Sequence, residues 1–361
     1  MQSRRANVIG HRRANIIGLG LIGGSVALAL RDAGWHVTGD DIAPRRAEEA
    51  QGRGCVDAAG LDPSAEITFV AVPVLAVADQ VKRALAETTG AVTDVGGVKG
   101  AIAAAVGDAR FVGGHPMAGS ELDGLDGADG AMFSGAVWVL TPTAGTADAT
   151  FATVASVVAE LGAEVVAMAP DRHDEMVAVV SHVPHLTAAS LMGMAADGAE
   201  EHAALLRLAA GGFRDMTRVA SGAPDIWLDV CAENRPAIVS ALGALIERLG
   251  ELREIVRNDA RAELHDRLQR ARDARRNLPI HAVHPEELAE VRIPIPDRTG
   301  AAAEVFTLAA ELGVNIDSFE VVHLAESNAG VAVILVAADV ADLYRGGLLA
   351  RGFRPAVTRL T

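Results

Sequence analysis

The chain has 361 residues, a length that predicts two or three domains. The formal net charge of −15 argues against nucleic acid or an anionic membrane as the main partner, although a locally basic pocket could still hold an anionic substrate. The two cysteines have no metal-like spacing, and we expect no segment to span a bilayer, so the sequence favours a cytoplasmic protein without a structural metal.

Residues 14–168 alternate between apolar strands and stretches with helical spacing. The first helix is predicted over Gly23–Ala33, since Gly34 ends its pattern. The predicted strands are Asn15–Gly18, Trp35–Gly39, Ile67–Val72, Val92–Val95, Phe111–Gly114 and Val137–Thr141. Because helix-sized gaps separate them, they predict βαβ units and a doubly wound parallel sheet.

Three glycines, Gly18, Gly20 and Gly23, follow the first strand and open the first helix. In this pattern the first glycine permits a tight turn, the second lets the backbone approach a pyrophosphate, and the third allows close packing. The second strand ends in Asp40-Asp41, and Asp41 is predicted to hold the ribose hydroxyls of NAD. The acid favours NAD over NADP, although neighbouring arginines leave the strictness of that preference open. The predicted cofactor residues are Gly18, Gly20, Leu21, Ile22, Gly23, Asp41, Val72 and Pro73.

His115 lies in the segment Gly113–Gly119, just after a predicted strand. Ligands bind at the carboxyl ends of parallel strands, and a histidine there can take a hydroxyl proton near neutral pH. The adjacent glycines favour this interpretation, because they would let substrate and cofactor approach the backbone.

Two further polar clusters follow. His173, His182 and His185 are predicted to line a polar substrate pocket, since no third ligand stands at a spacing that suits a metal. Arg214 and Arg218 follow a pair of glycines, and they are either surface residues or a fork that binds a carboxylate.

The region from Pro170 to Asn277 reads as helical, and residues 236–277 form either one long helix or two. Its apolar stripe fits internal core and a dimer interface equally well. The stripe consists of Ile238, Leu242, Leu245, Leu249 and Leu252. Residues 277–287 read as a linker, and the remainder as a βαββαβ unit.

Taken together, five segments resemble the prephenate dehydrogenase family over about residues 15–277. They are Gly18–Ser25, Asp94–Gly100, Gly113–Gly119, Ser181–His185 and Gly211–Arg218. The resemblance implies NAD-dependent oxidation of prephenate, with loss of CO2, to 4-hydroxyphenylpyruvate in tyrosine biosynthesis. Two alternatives stay open: an arogenate dehydrogenase, whose substrate carries an amino group on the side chain, and an inactive sensor of NAD and an amino acid.

Within the resemblance, His115 takes the ring hydroxyl proton, Arg218 holds a carboxylate and His185 contacts the substrate side chain. His182, His173, Arg214 and Ser120 are weaker candidates for substrate contacts. The chain departs from the family at Gly97, where many members have a serine that supports the histidine. A water molecule, Ser120 or Ser181 would have to replace that serine.

The tail resembles an ACT domain, through the turn at Asp297–Gly300 and the strand entry at Gly313–Ile316. ACT domains bind amino acids, so the resemblance implies an effector such as tyrosine, although Thr299 replaces the usual proline of the turn. The expected domains are therefore a Rossmann domain at 1–168, an all-α substrate and dimerisation domain at 169–280, and an ACT-like domain at 288–361. We expect a homodimer.

Overall fold

The computed structural model describes residues 12–119, 122, 124–201, 206–222, 224–276, 288–296, 298, 300–316, 318–323 and 330–359. The chain divides into two compact units, Met1–Leu264 and His265–Thr361. The predicted Rossmann domain and the predicted helical domain as far as Leu264 lie within the first unit. The predicted linker at 277–287 lies outside the described residues.

The first unit is built on one mixed sheet with the strand order β3-β2-β1-β4-β5-β6-β7-β8. The strands are β1 (Arg13–Ile17), β2 (His36–Asp40), β3 (Ala58–Ala59), β4 (Ile67–Val70), β5 (Ala91–Asp94), β6 (Phe111–Pro116), β7 (Val137–Thr141) and β8 (Glu164–Ala167). The helices between them are α1 (Leu21–Asp32), α2 (Pro44–Gly52), α3 (Val74–Glu87), α4 (Gly100–Ala105) and α5 (Asp148–Glu160). The first six strands are parallel and follow the order of Rossmann folds.

Strand β7 runs antiparallel to β6, which corrects the prediction of a wholly parallel sheet. A parallel neighbour would be reached through a crossover helix. The connection from β6 to β7 instead holds a short 3₁₀ turn at Gly124–Gly127. Strand β8 is again parallel to β7, because α5 supplies a crossover.

Apolar runs bury the central strands on both faces, as covering helices require. All four residues of β4 are buried. Helix α1 packs Val26, Ala27 and Leu30 against one face of the sheet. Helix α3 packs Val77, Val81 and Ala84 into a separate core with β4 and β5. The carboxyl edge of the sheet is therefore held rigidly.

The glycines before His115 serve packing, not the ligand approach that the sequence suggested. Both are buried within β6. A Cβ atom on Gly114 would lie 2.6 Å from the carbonyl oxygen of Asp94 and 2.9 Å from Nε1 of Trp138. A Cβ atom on Gly113 would lie 2.5 Å from Oγ1 of Thr141. Glycine is needed because β6 is pressed between β5 and β7.

The helical part of the first unit begins with a continuous helix that has one π turn. It comprises α6 (Pro170–Val177), the π turn (Ala178–His182) and α7 (Val183–Glu201). Contrary to our expectation, Pro170–Gly198 is long and apolar enough to cross a membrane by length and composition. The helix nevertheless carries buried ionisable residues, among them His173, Asp174 and His182, that bond to other parts of this unit.

Four more helices follow: α8 (Gly211–Thr217), α9 (Pro224–Glu233), α10 (Arg235–Arg257) and α11 (Arg261–Arg276). Residues 236–276 thus form two helices, and Asp259, with φ of 49°, lies at the break between them. Of the five stripe residues only Ile238 is buried, and Leu249 is 52% exposed. The stripe is therefore not internal core of this chain.

The second unit contains the predicted βαββαβ order. Its elements are β9 (Leu288–Ile295), α12 (Ala301–Glu311), β10 (Ser318–His323), β11 (Gly330–Ala337), α13 (Ala341–Ala350) and β12 (Ala356–Arg359). The strands form an antiparallel sheet in the order β10-β11-β9-β12. Tyr344 of α13 is fully buried and donates its hydroxyl to the carbonyl oxygen of Val305, at 2.9 Å. Burial raises the pKa of Tyr344 to about 12.

Candidate active site

The glycine loop between β1 and α1 has the geometry of a dinucleotide-binding turn. Gly18 has φ of 92°, and a Cβ atom there would lie 2.3 Å from the carbonyl oxygen of Ala71. A Cβ atom on Gly23 would lie 1.9 Å from the carbonyl oxygen of Gly18. A Cβ atom on Gly20, by contrast, would have no atom within 4 Å apart from those of its chain neighbours. The first and third glycines are thus required by contacts within the protein, whereas the second faces open space.

The other predicted cofactor residues surround this loop. Leu21 and Ile22 begin α1, whose N-terminus has no side-chain cap. Val72 lies beside Gly18, and Pro73 caps the start of α3. The loop and these residues meet where the strand order reverses between β1 and β4, which is where open α/β sheets bind ligands. Open N–H groups and a helix N-terminus suit a pyrophosphate.

The two acids that follow β2 have different partners. The Asp41 carboxylate accepts hydrogen bonds from the backbone N–H groups of Leu19 and Ala43, each at 2.9 Å. Asp40 instead pairs with Arg83 at 2.7 Å. Strand β2 extends to Asp40, a residue further than predicted, so Asp41 is the first residue beyond it. Asp41 is accordingly the acid that adjoins the glycine loop.

His115 lies within β6, not after it, and it is hydrogen-bonded to a second histidine. Its Nδ1 lies 2.8 Å from Nε2 of His173. Nδ1 of His173 in turn lies 2.8 Å from Oδ1 of Asp174. With both ring nitrogens engaged and 1% exposure, His173 stands behind His115. The predicted contact between His173 and the substrate stays a prediction.

Asp174 binds the segment that precedes α4. Its carboxylate accepts the backbone N–H groups of Lys99 at 2.8 Å and Gly100 at 2.7 Å. Its carbonyl oxygen accepts a hydrogen bond from Nδ2 of Asn234, at 2.9 Å. Asn234 has no motif around it, so the sequence did not indicate this contact. The sequence signal for the bonds between Asp174 and the start of α4 was the pair Lys99-Gly100, which ends the Asp94–Gly100 segment.

A buried ion pair between Lys99 and Asp94 underlies His115. The Lys99 ammonium contacts the Asp94 carboxylate, and both side chains are essentially inaccessible to solvent. Asp94 also accepts the backbone N–H of Gly96, at 2.8 Å. Burial lowers the pKa of Lys99, whereas Asp94 opposes that shift. Burial, with His173 and Lys99 nearby, holds the pKa of His115 well below its usual value, so its imidazole is neutral.

The Nε2 edge of the His115 ring, opposite the nitrogen that meets His173, faces Gly97. A Cβ atom on Gly97 would lie 3.8 Å from Nε2 of His115, an ordinary contact distance. Gly97 therefore leaves a gap where the family serine would stand. Of the residues suggested as substitutes, Ser181 lies in the π turn and Ser120 lies outside the described residues.

His182 and His185 form a second group around Trp227. The His185 ring stacks on Trp227 with centroids 3.6 Å apart, and His182 meets the same indole edge-on at 6.0 Å. Nδ1 of His182 also lies 3.2 Å from Nδ2 of Asn234. Burial lowers the pKa of His182 to about 4, and it lowers the pKa of His185 as well. Sequence reasoning missed Trp227, an isolated aromatic residue on α9.

Arg218 begins a 3₁₀ turn, Arg218–Ser221, that leads to His185. A Cβ atom on Gly222, the next residue, would lie 3.4 Å from Cε1 of His185. Arg214 lies one turn earlier on α8, and both arginines are exposed. Among the described residues, no group of three or more His, Cys, Asp or Glu side chains could hold a metal ion.

Comparison with known proteins gives consistent matches. Residues 26–167 match the family described as "Prephenate dehydrogenase, nucleotide-binding domain", and residues 169–270 match "Prephenate dehydrogenase, dimerization domain". A prephenate dehydrogenase of Bacillus subtilis is 29% identical over 341 residues, which cover 90% of this chain and 92% of that protein.

Two solved structures are similar to about three quarters of this chain. Synechocystis arogenate dehydrogenase is 33% identical with a TM-score of 0.65, and the match covers 73% of this chain and 98% of that one. Prephenate dehydrogenase from Aquifex aeolicus, in complex with hydroxyphenyl propionate and NAD+, is 29% identical with a TM-score of 0.70. That match covers 75% of this chain and 100% of the other.

The neutral histidines make the stability of the first unit depend on pH. Histidines of the unfolded chain take up protons below about pH 6.5, whereas His182 in the folded protein does so only near its pKa of about 4. The unfolded state thus binds more protons in this window, so this stability is complete above the unfolded value and is lost as pH falls towards the folded one. We expect the melting temperature to fall between about pH 7 and about pH 5, and to fall less in His182→Asn.

Differential scanning calorimetry at a series of pH values measures this slope. The matched control is His265→Asn, because the side chain of His265 is 77% exposed. Equal slopes in the wild type and His182→Asn would contradict the expectation.

Proposed function

The chain belongs to the prephenate dehydrogenase family, and on that premise we propose that it oxidises prephenate with NAD and releases CO2 and 4-hydroxyphenylpyruvate. It is an NAD-dependent dehydrogenase. One observation carries the substrate chemistry: a neutral, half-buried His115 presents Nε2 to a gap beside Gly97, at the carboxyl edge of the sheet that holds the dinucleotide loop.

NAD, when bound, supplies the hydride acceptor. In our proposal the open backbone at Gly20 and the N-terminus of α1 hold its pyrophosphate, and Asp41 holds its ribose. Leu21, Ile22, Val72 and Pro73 complete the surface around it. The carboxylate of Asp41 already fixes the loop through Leu19, so the same side chain both shapes the site and selects against a 2′-phosphate.

His115 acts as the general base. Its Nε2 lone pair takes the proton of the ring hydroxyl while a hydride leaves the carbon that bears this hydroxyl. The resulting ring carbonyl draws in the electron pair of the bond to the ring carboxylate. That bond breaks, CO2 leaves and the ring becomes aromatic as a phenolate, whose oxygen takes the proton back from Nε2 of His115. A neutral imidazole is required for this role, and the lowered pKa of His115 provides it.

The substrate carboxylates need a cation, and we assign one to Arg218, with Arg214 as the outer candidate. A guanidinium can bind a carboxylate through two parallel hydrogen bonds. The turn that Arg218 begins leads to His185, so His185 and Trp227 would meet the pyruvyl side chain of the substrate. His182 lies deeper and supports that pair. Ser120 stays a candidate whose position is outside the described residues.

A second substrate deserves a direct comparison, because the Synechocystis structure with 33% identity is an arogenate dehydrogenase. The two substrates differ only at the side chain, next to the group formed by His185 and Trp227. We expect NADH formation with prephenate, and a faster reaction with NAD than with NADP because Asp41 repels a 2′-phosphate. Absorbance at about 340 nm follows the reduced cofactor, NADH or NADPH, in both comparisons.

His115→Asn is the variant that tests the proposed base. It should lower kcat about 10²-fold to 10⁴-fold, the usual contribution of general-base catalysis, and leave NADH affinity nearly unchanged. An equal loss of both would contradict the assignment. A wild-type protein that binds NADH but oxidises neither prephenate nor arogenate would instead be the non-catalytic sensor.

We further propose that the protein is a cytoplasmic homodimer that buries α10. Residues 169–270 match a domain described as a dimerization domain. Four apolar side chains of α10 are between 52% and 66% exposed in the single chain, a concentration typical of interaction surfaces. They are Val239, Ile246, Leu249 and Val256. The helix also borders a cavity of ≈ 980 Å³ between itself and α6.

A charge on this surface should separate the subunits. We expect Ile246→Glu to be monomeric, because association would bury an unpaired carboxylate. Light scattering coupled to size-exclusion chromatography measures the mass. Leu343→Glu is the matched control, since Leu343 is a similarly exposed leucine of the second unit. A dimer that survives Ile246→Glu, or one lost in Leu343→Glu, would place the interface elsewhere.

We propose that residues 288–361 form an ACT-like regulatory domain for an aromatic amino acid such as tyrosine. Its βαββαβ order supports the proposal. So does Gly300, which caps α12 with φ of 87° in the turn that carries the motif, although Asp297 and Thr299 lie outside the described residues. Gly313, with φ of 66°, follows the same helix.

We expect tyrosine to inhibit the full chain and to have little effect on a chain ending at Asn277, since the proposed binding domain would be absent. Initial rates at rising tyrosine concentration measure the difference. Equal inhibition of both chains would mean that tyrosine competes at the active site.

A further inference from the structure

We propose that His173 and Asp174 are positioning residues for the reaction: they fix the protons of two histidines so that His115 presents an unprotonated Nε2 to the substrate. The inference rests on the proposed function, since it concerns the base of that reaction. It is carried by a chain of hydrogen bonds from the N-terminus of α4 to the gap beside Gly97.

The chain begins at the Asp174 carboxylate. It receives two backbone N–H groups, those of Lys99 at 2.8 Å and Gly100 at 2.7 Å. A backbone N–H group can only donate, so both contacts use acceptor lone pairs of the carboxylate oxygens. An ionised carboxylate can only accept, so the contact of 2.8 Å with His173 requires a proton on Nδ1 of that ring.

The state of His173 then determines the state of His115. A neutral imidazole that carries its proton on Nδ1 has a lone pair on Nε2. Nε2 of His173 lies 2.8 Å from Nδ1 of His115, so it accepts a hydrogen bond from that nitrogen. His115 therefore carries its own proton on Nδ1, and its Nε2 has the free lone pair that a base needs. His173 is 1% exposed, so its side of this contact is shielded from water.

Gly97 makes this arrangement decisive in this chain. The nearest side-chain atoms to a Cβ at Gly97 are Nε2 and Cε1 of His115, at 3.8 and 3.9 Å. Glycine offers no hydroxyl there to hold the ring, whereas the resemblance implies a serine. The orientation of His115 therefore depends on its other edge, where His173 stands.

The same contacts respond to the proton that the reaction delivers. The proton leaves the ring hydroxyl and bonds to Nε2 of His115, which becomes an imidazolium. Its Nδ1–H bond to His173 then becomes charge-assisted and stronger, without breaking. Asp174 lies beyond His173 as the negative charge that offsets the new positive one. Asp94 already pairs with Lys99, so it offers no such compensation.

A spectroscopic experiment tests the proton positions without turnover. Full-length protein with ¹⁵N-labelled histidine, saturated with NADH, would be studied by NMR, and the rings assigned with His115→Gln and His173→Gln. We expect both histidines to be protonated on Nδ1 alone. A proton on Nε2 of His115 would overturn the proposal. No substrate is involved, so this result holds even if the protein oxidises neither prephenate nor arogenate. That failure would contradict the proposed function and leave the proton positions unaffected.

A kinetic experiment tests the consequence. His173→Phe keeps a ring but removes the acceptor, and we expect kcat to fall by about 10²-fold or more while KM and NADH affinity hold. His173→Gln can place Oε1 where Nε2 was, so it should lose less. Adding Gly97→Ser to His173→Phe supplies a hydroxyl at the other edge of His115 and should recover part of kcat.

The controls separate positioning from general damage. His36→Phe, on the first residue of β2, makes the same substitution away from the site and should leave kcat unchanged. Three results would overturn the proposal: parallel losses in kcat, KM and NADH affinity, equal losses in the Phe and Gln variants, or no recovery with Gly97→Ser. If His173→Phe does not fold, as thermal melting would reveal, the NMR result and the kcat of His173→Gln decide.

Discussion

The carboxylate of Asp174 is the contact on which the site depends. Asp174 lies on α6, yet its carboxylate accepts two hydrogen bonds from the backbone at the start of α4. The backbone carbonyl oxygen of Asp174 accepts a hydrogen bond from Asn234, at the start of α10. Placing an ion in a protein interior is unfavourable unless donors replace water, and here the donors come from separate parts of the chain. This explains why the nucleotide-binding and helical regions form one compact unit.

Near that contact the charged side chains form an ion pair, whereas the neighbouring histidines are uncharged. Lys99 and Asp94 neutralise each other under β6, and Asp94 also receives the backbone N–H of Gly114 at 3.2 Å. The rings above, His115 and His182, have pKa values lowered by burial. A protein with a net charge of −15 thus keeps a site that is locally close to neutral. Such a site can admit a substrate with two carboxylates without the repulsion that the overall charge would imply.

The sequence predicted the features that depend on local pattern. Strand positions followed from apolar runs, the dinucleotide loop from glycine spacing, and His115 from its place near a strand end. Asp41 followed from its distance along the chain from the loop. Each of these rests on residues within one βα unit, whose geometry is nearly invariant.

Features that depend on distant residues were not predictable in this way. His173 is 58 positions from His115, and nothing local shows that it stands behind the ring. The stacking of His185 on Trp227 likewise joins two helices. The glycines before His115 looked like a ligand approach, because their true neighbours, on β5 and β7, are known only once the sheet order is known. The antiparallel direction of β7 could not be predicted for the same reason.

The π turn at Ala178–His182 changes the direction in which all later side chains of the helix point around its axis. In an uninterrupted α-helix each residue advances by about 100°, so His182 would point about 180° away from His173. One extra residue in the turn subtracts about 100°, which brings His185 to within about 20° of the direction of His173. The three histidines are buried together only because the helix is irregular between them. The irregular turn therefore rotates His185 to the side of the helix that carries His173. The number of residues in the turn matters to the site as much as which residues they are.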